Sequence, residues 1–146
     1  MPDLASNAII NVRYLIDDTD DSSYEYSDDR LSTLIFVAAS YVNRDINASY
    51  DISLCGQTIS PQPDNNFINL VSLKAACMHI RAQQTSFARN DFRVSDGPTS
   101  VDLKNSSEQL KNAADSLFSE YNKAKLDMIM GRTVNGFIIS TPNSES

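Results

Sequence analysis

The sequence predicts a mainly α fold: a four-helix bundle with a small β-hairpin between the third and fourth helices and an extended C-terminal tail. Three observations carry this expectation. Four segments repeat apolar residues at three- and four-residue steps, the spacing of one helical face. Capping residues stand just ahead of these segments. The stretch between the last two alternates apolar and polar residues around a Gly-Pro turn. A chain of 146 residues, 41% hydrophobic with six Phe and six Tyr, fits one domain able to bury a core without staples. The bundle domain is expected over 1–131, with its hairpin at about 91–104, and an extended arm over 132–146.

The first helix is placed at 4–16. Ala8 or Ile9, Val12, and Leu15 or Ile16 form its inner face, with Asp3 or Ser6 as cap. The second runs over 28–46. Ser27 is its N-cap, Asp28 and Asp29 meet the positive end of the helix dipole, and Tyr26 and Leu31 have the spacing of a hydrophobic staple. Its inner stripe is Leu31, Leu34 or Ile35, Ala38, Tyr41 or Val42, and Ile46. The segment 47–63 is irregular, with room for a short hairpin turning at Gly56 before Pro61 and Pro63.

The third helix is placed at 64–89, capped by Asp64. Two adjoining seams mark it as the central helix: Leu70, Leu73, Cys77, Ile80, Gln84 and Phe87, then Phe67, Val71, Ala75, Met78 and Ala82. Across 90–104, Phe92 with Val94 and Val101 with Leu103 read as two short strands around "SDGPTS". The fourth helix is placed at 106–130, with Asn105 and Glu108 at capping-box spacing and Gly131 as its stop. Leu110, Ala113 or Ala114, Leu117, Tyr121, Ala124 and Met128 form its stripe. No internal repeat is present.

Of 19 acids, seven lie in "DDTDDSSYEYSDD" (17–29), which holds no base; the twelve others balance the twelve Lys and Arg. A neutral body with one acidic patch argues against general nucleic-acid binding, which needs clustered cations. Arg81, Arg89 and Arg93 are too few to reverse this. Cys55 and Cys77 read as reduced, buried thiols, with a single bridge as the alternative. The longest apolar run, "LIFVAA", is far short of a membrane span. "MPDLASNAII" lacks a basic leader region, so a soluble protein made in the cytoplasm is expected.

Chemistry is hard to find in this chain. Its single histidine, His79, has no second imidazole and no cysteine at zinc-ligand spacing, and reads as a packing or surface residue. Neither a phosphate-binding glycine pattern nor a nucleophile elbow is present. No enzyme, cofactor or metal site is expected. A calcium loop aligned on Asp18, Asp20, Ser22 and Asp29 has Ser23 where glycine is needed and lacks the bidentate Glu. Asp20 and Asp21 instead belong to a solvated acidic loop or to a patch facing a basic partner. "GFIIS", with Phe137, Ile138 and Ile139, has the character of an edge strand. It either docks on another chain or folds back on its own bundle. Asp96 and Gly97, at the hairpin tip, are a second contact candidate against a plain surface turn.

The order of parts carries a resemblance. "VRYLIDD" leads to the acidic linker, then "SDDRLSTLIFVAASYV", the alanine-rich "NLVSLKAACMHI", "FRVSDGPTSVDL" and "LKNAADSLFSEYNKAKLDM". Over most of residues 8–130 this resembles the head–tail adaptor (connector) proteins of tailed bacteriophages. The resemblance implies a helical bundle that assembles as a ring, commonly of twelve subunits, around the DNA channel. Such a ring joins the portal to the next neck or tail protein within the virion. DNA would pass through the lumen without sequence-specific binding, and no catalytic residues or membrane contact are implied. Residues 133–146 would dock in trans, and the acidic run would suit a channel wall or a basic partner ring. The rival reading is a monomeric helical regulator, calcium-responsive through 17–29.

Overall fold

A computed structural model describes residues 3–93 and 98–138, with side chains over 3–89 and 107–131. Four helices and one two-stranded hairpin occur in the order α1 (Leu4–Leu15), α2 (Asp28–Asp45), β1 (Asp51–Ser53), β2 (Thr58–Ser60), α3 (Asn65–Arg93) and α4 (Pro98–Ile138). Each of the first three helices opens on a side chain that satisfies an otherwise orphaned N–H. Asp3 accepts from the Ser6 amide at 2.8 Å, Ser27 from the Arg30 amide at 3.2 Å, and Asp64 from the Phe67 amide at 2.8 Å. No helix among the described residues is long and apolar enough to cross a membrane.

Helix α3 is the hub. Helices α1 and α2 pack on it and on each other, while α4 packs principally along α3. The architecture is thus a three-helix core with a long fourth helix laid against its central member. Leu4, Ala8 and Val12 meet Leu31, Ile35, Phe36, Ala38, Ala39 and Val42, which close over Phe67, Leu70, Val71 and Ala75. Tyr121 enters this core from α4, and its hydroxyl donates to Asp45 Oδ2 at 2.7 Å, tying α4 to the end of α2. Leu117 packs in a second cluster with Ala76 and Ile80.

The hairpin lies between the second and third helices, not between the third and fourth. Its register pairs Asp51 with Ser60, Ile52 with Ile59 and Ser53 with Thr58. The half-buried Ile52 and Ile59 pack against the core while their neighbours face solvent, the period-2 pattern of a strand with one covered face. Gln57 has φ 51° in the turn, and its side chain accepts from Ser32 Oγ at 2.7 Å and donates to Thr33 Oγ1 at 3.2 Å. The turn is thereby pinned to α2.

The hairpin expected at 91–104 is overturned. Residues 91–93 are the last turn of α3, and Pro98 opens α4, so Val101 and Leu103 are helical. Two alternating residues on each side are too few to outweigh two long helices extended by mutual packing, and Pro98 has the fixed φ favoured at a first helical position. Asn105 therefore lies inside α4 and not at its start. Gly131 does not stop α4, which continues to Ile138, so 132–138 is helix and not the start of an extended arm. Asp96, Gly97, Val94 and Ile139 lie outside the described residues. Both cysteines are free thiols, but Cys55 is exposed and Cys77 only half-buried.

The acidic stretch is more than a solvated loop. Arg13, on α1, is buried, and its guanidinium is shared by Asp18, the Tyr26 carbonyl (3.0 Å) and Asp28 (2.7 Å). Asp18 is buried with it and also accepts from the amides of Glu25 (2.8 Å) and Tyr26 (3.3 Å). The Tyr24 ring covers the guanidinium at 3.6 Å. One compact ionic knot therefore joins the end of α1, the loop and the first turn of α2.

Removing one member of a buried ion pair costs about 3–5 kcal/mol because the other charge is left uncompensated. Asp28 still reaches Arg13, so Asp18→Ala should destabilise by about 3 kcal/mol, at the lower end of that range. Urea denaturation should place the Arg13→Met/Asp18→Leu double variant closer to the parent chain than Asp18→Ala alone.

Candidate protein-interaction surfaces

Of the interaction residues singled out in the sequence, Asp20 and Asp21 are the two with described side chains. Asp20 and Asp21 are exposed on the loop. Asp20 accepts from the Ser22 hydroxyl (2.7 Å) and amide (3.1 Å), which hold its carboxyl below the usual range. Asp20 is tied into its own turn, while Asp21 is a plain surface acid. Phe137 and Ile138 end α4. Asp18, which a calcium loop would need first, is turned inward onto Arg13 and two amides. Among the described residues no group of three or more His, Cys, Asp or Glu side chains is arranged to hold a metal ion.

Sequence reasoning missed the two surfaces that α4 does present. The first is an apolar ridge. Leu126 is 55% exposed, Met130 53% and Phe118 42%, with Ile129 beside them. Leu126 is nine residues beyond the buried Leu117, and Met130 nine beyond the buried Tyr121. At roughly 100° per residue that spacing places each on the opposite side of the helix. Helix α4 thus has two apolar faces, of which α3 covers one. Cations flank the ridge: the Arg81 guanidinium lies 5.6 Å from the Phe118 ring centre, and Lys123 is nearby on α4. A second apolar stripe on one helix was the available signal.

The second surface is a cleft over α3. Helices α1 and α4 both pack on α3 and leave part of its surface uncovered between them. Between α3 and α4 lies a trough of about 490 Å³, lined by Leu70, Leu73, Ala124, Met128 and Gly131, with Asp64, Asp127, Asn66 and Asn69 among its polar walls. Between α1 and α3 a pocket of about 340 Å³, lined by Asn11, Tyr14, Leu15 and Ser72, shares Asn69 and Leu73 with it. Neither Asp64 nor Asp127 has a cation within ion-pair distance among the described residues. Gly131 is the unusual lining residue. A Cβ built there meets nothing within 4 Å, so nothing among the described residues requires glycine.

Titratable groups in the interior serve packing. His79 stacks edge-on against Tyr26 at 4.6 Å, and its Nε2 is buried without a hydrogen-bond partner among the described residues. Burial, with help from Arg30, lowers its pKa below 6.5. Burial also raises Cys77, and burial together with the Asp45 contact raises Tyr121. No nucleophile stands beside a base among these groups.

This geometry leads to two expected outcomes. His79 binds its proton less readily in the folded chain than in the unfolded one, so its contribution is complete above pH 6.5 and is lost as pH falls below that value. Urea midpoints at pH 7.5 and 5.5 should therefore differ, and His79→Gln should reduce the difference. Gly131→Ala should stabilise the chain by about 1 kcal/mol in thermal unfolding, the helix-interior difference between the two residues, because the added methyl meets open space.

No family model matches this chain, and no curated protein or solved structure matches it.

Proposed function

We propose that this protein is a structural subunit of a tailed-phage neck that joins the portal of the head to the next neck or tail protein, as a ring around the DNA channel. One observation supports this reading above the others. Helix α4 carries the exposed apolar side chains Leu126 and Met130 on the side opposite the buried Leu117 and Tyr121, with Phe118 exposed at the edge beside Arg81 of α3. Large apolar residues grouped on one exposed helix face suit a protein-binding surface. Charge supports the same reading. The net charge is −7 and the exposed carboxylates include Asp20 and Asp21, a balance suited to a wall past which DNA slides without being held. The end of α4, with Phe137 and Ile138, and the residues after it are the segment we assign to the portal contact. The calcium-responsive regulator finds no support, since its first ligand is engaged by Arg13.

The test is co-expression with the portal protein encoded in the same genome. The complex should be heavier than the portal alone by sedimentation, with added density on one end of the portal ring in electron micrographs. Removing 132–146 leaves every core residue among the described side chains in place and should lower portal capture at least tenfold. A portal of unchanged mass in the presence of the full chain would refute the assignment.

A further inference from the structure

The ridge and the cleft occupy different faces of one subunit, and their chemistry is complementary. The ridge is convex and apolar, centred on Leu126 and Met130, with Lys123 beside it, while the Lys125 ammonium lies 5.5 Å from the ring of the buried Tyr121. The cleft is concave, with an apolar floor and the carboxylates of Asp64 and Asp127 on its walls. Its acids have no cation of their own among the described residues. Glycine at 131 costs the helix stability without relieving any contact among the described residues, but it would let a neighbouring helix approach closely. We infer that the cleft takes the α4 ridge of a second copy of this chain. Leu126 and Met130 would lie over Leu70, Leu73 and Gly131, and the flanking Lys123 would meet the carboxylates of Asp64 and Asp127. The two patches differ, so the contact is heterologous. Any open row of copies keeps one free ridge at one end and one free cleft at the other, and the row stops growing only by closing on itself.

This deepens the ring reading above by naming the surfaces that would build it. The head-to-tail geometry gives a sharp test with the full chain. The ridge variant Leu126→Glu/Met130→Glu and the cleft variant Gly131→Leu/Asp127→Lys alter exposed or open positions and should keep the parent's circular dichroism. In sedimentation velocity and native mass spectrometry at high micromolar concentration, the parent should form multi-copy species. Each variant alone should stay at the 16.2 kDa of one chain. Mixed one to one, they should give a species of twice that mass and nothing larger, because only one intact ridge and one intact cleft remain to meet. A monomeric parent, a ridge variant that assembles like the parent, a cleft variant that still dimerises through ridges alone, or a mixture that stays monomeric would each overturn the inference. The portal experiment is independent. Complementation without portal capture keeps the head-to-tail contact and removes the neck assignment; portal capture by a chain that never self-associates does the reverse.

Discussion

A buried guanidinium sets the terms for this fold. Arg13 sits on the inner side of α1, where an unpaired cation would be several kcal/mol too costly to tolerate. Its neutralisation dictates the path of the chain beyond α1. Asp18 must turn back beneath it, and Asp17 takes φ 60° just before that reversal. Asp18 then collects the amides of Glu25 and Tyr26, and Asp28 adds a second carboxylate from the first turn of α2. A linker rich in acids, which would repel itself as a free coil, becomes a fixed strap between two helices. With α1 and α2 held at a set angle, their apolar faces form the groove in which α3 is buried. Helix α4 has no comparable ionic anchor to either among the described residues. It depends on α3, on Leu117 and on the Tyr121–Asp45 hydrogen bond.

Much of this order was legible in the residues alone, where local chemistry and tertiary packing agree. Asp3, Ser27 and Asp64 cap as their side chains predict, the stripe of α2 is buried largely as spaced, and two apolar seams marked α3 as central. The hairpin around Gly56 was readable from its turn. Failures occurred where a short local signal competed with a longer-range one. Phe92, Val101 and Leu103 belong to an alternation over too few residues to resist the extension of α3 to Arg93 and the start of α4 at Pro98. Gly131 reads as a terminator by propensity, yet α4 carries on through it to Ile138, since one glycine costs a long helix only about 1 kcal/mol. Arg13 was invisible as a core residue, since nothing in "VRYLIDD" says which carboxylate will turn inward. The acidic segment also has a structural role that its composition does not announce: Asp18 is hidden against Arg13, while Asp20 and Asp21 are exposed.

The candidate surfaces were less legible than the fold. Leu126 and Met130 fall between the positions of the inner stripe of α4. A reading that stops at one complete stripe assigns such residues to the solvated face. The cleft is beyond sequence reasoning, because it arises from how α1 and α4 share the surface of α3, and no residue in it is chemically unusual except Gly131.

The 41 residues of α4 span roughly 60 Å at 1.5 Å per residue, more than three times the reach of the 12-residue α1. A rod of that kind is both a ruler and a dial. Gaining or losing a single residue within it would swing everything downstream by roughly 100°, carrying Leu126 and Met130 out of phase with Leu117. Gaining eleven would lengthen the rod by roughly 16 Å and return nearly the same orientation. Drift in this segment is therefore tolerable in whole multiples of the helical period and intolerable in between, a constraint on indels that falls far more lightly on the strap and the hairpin.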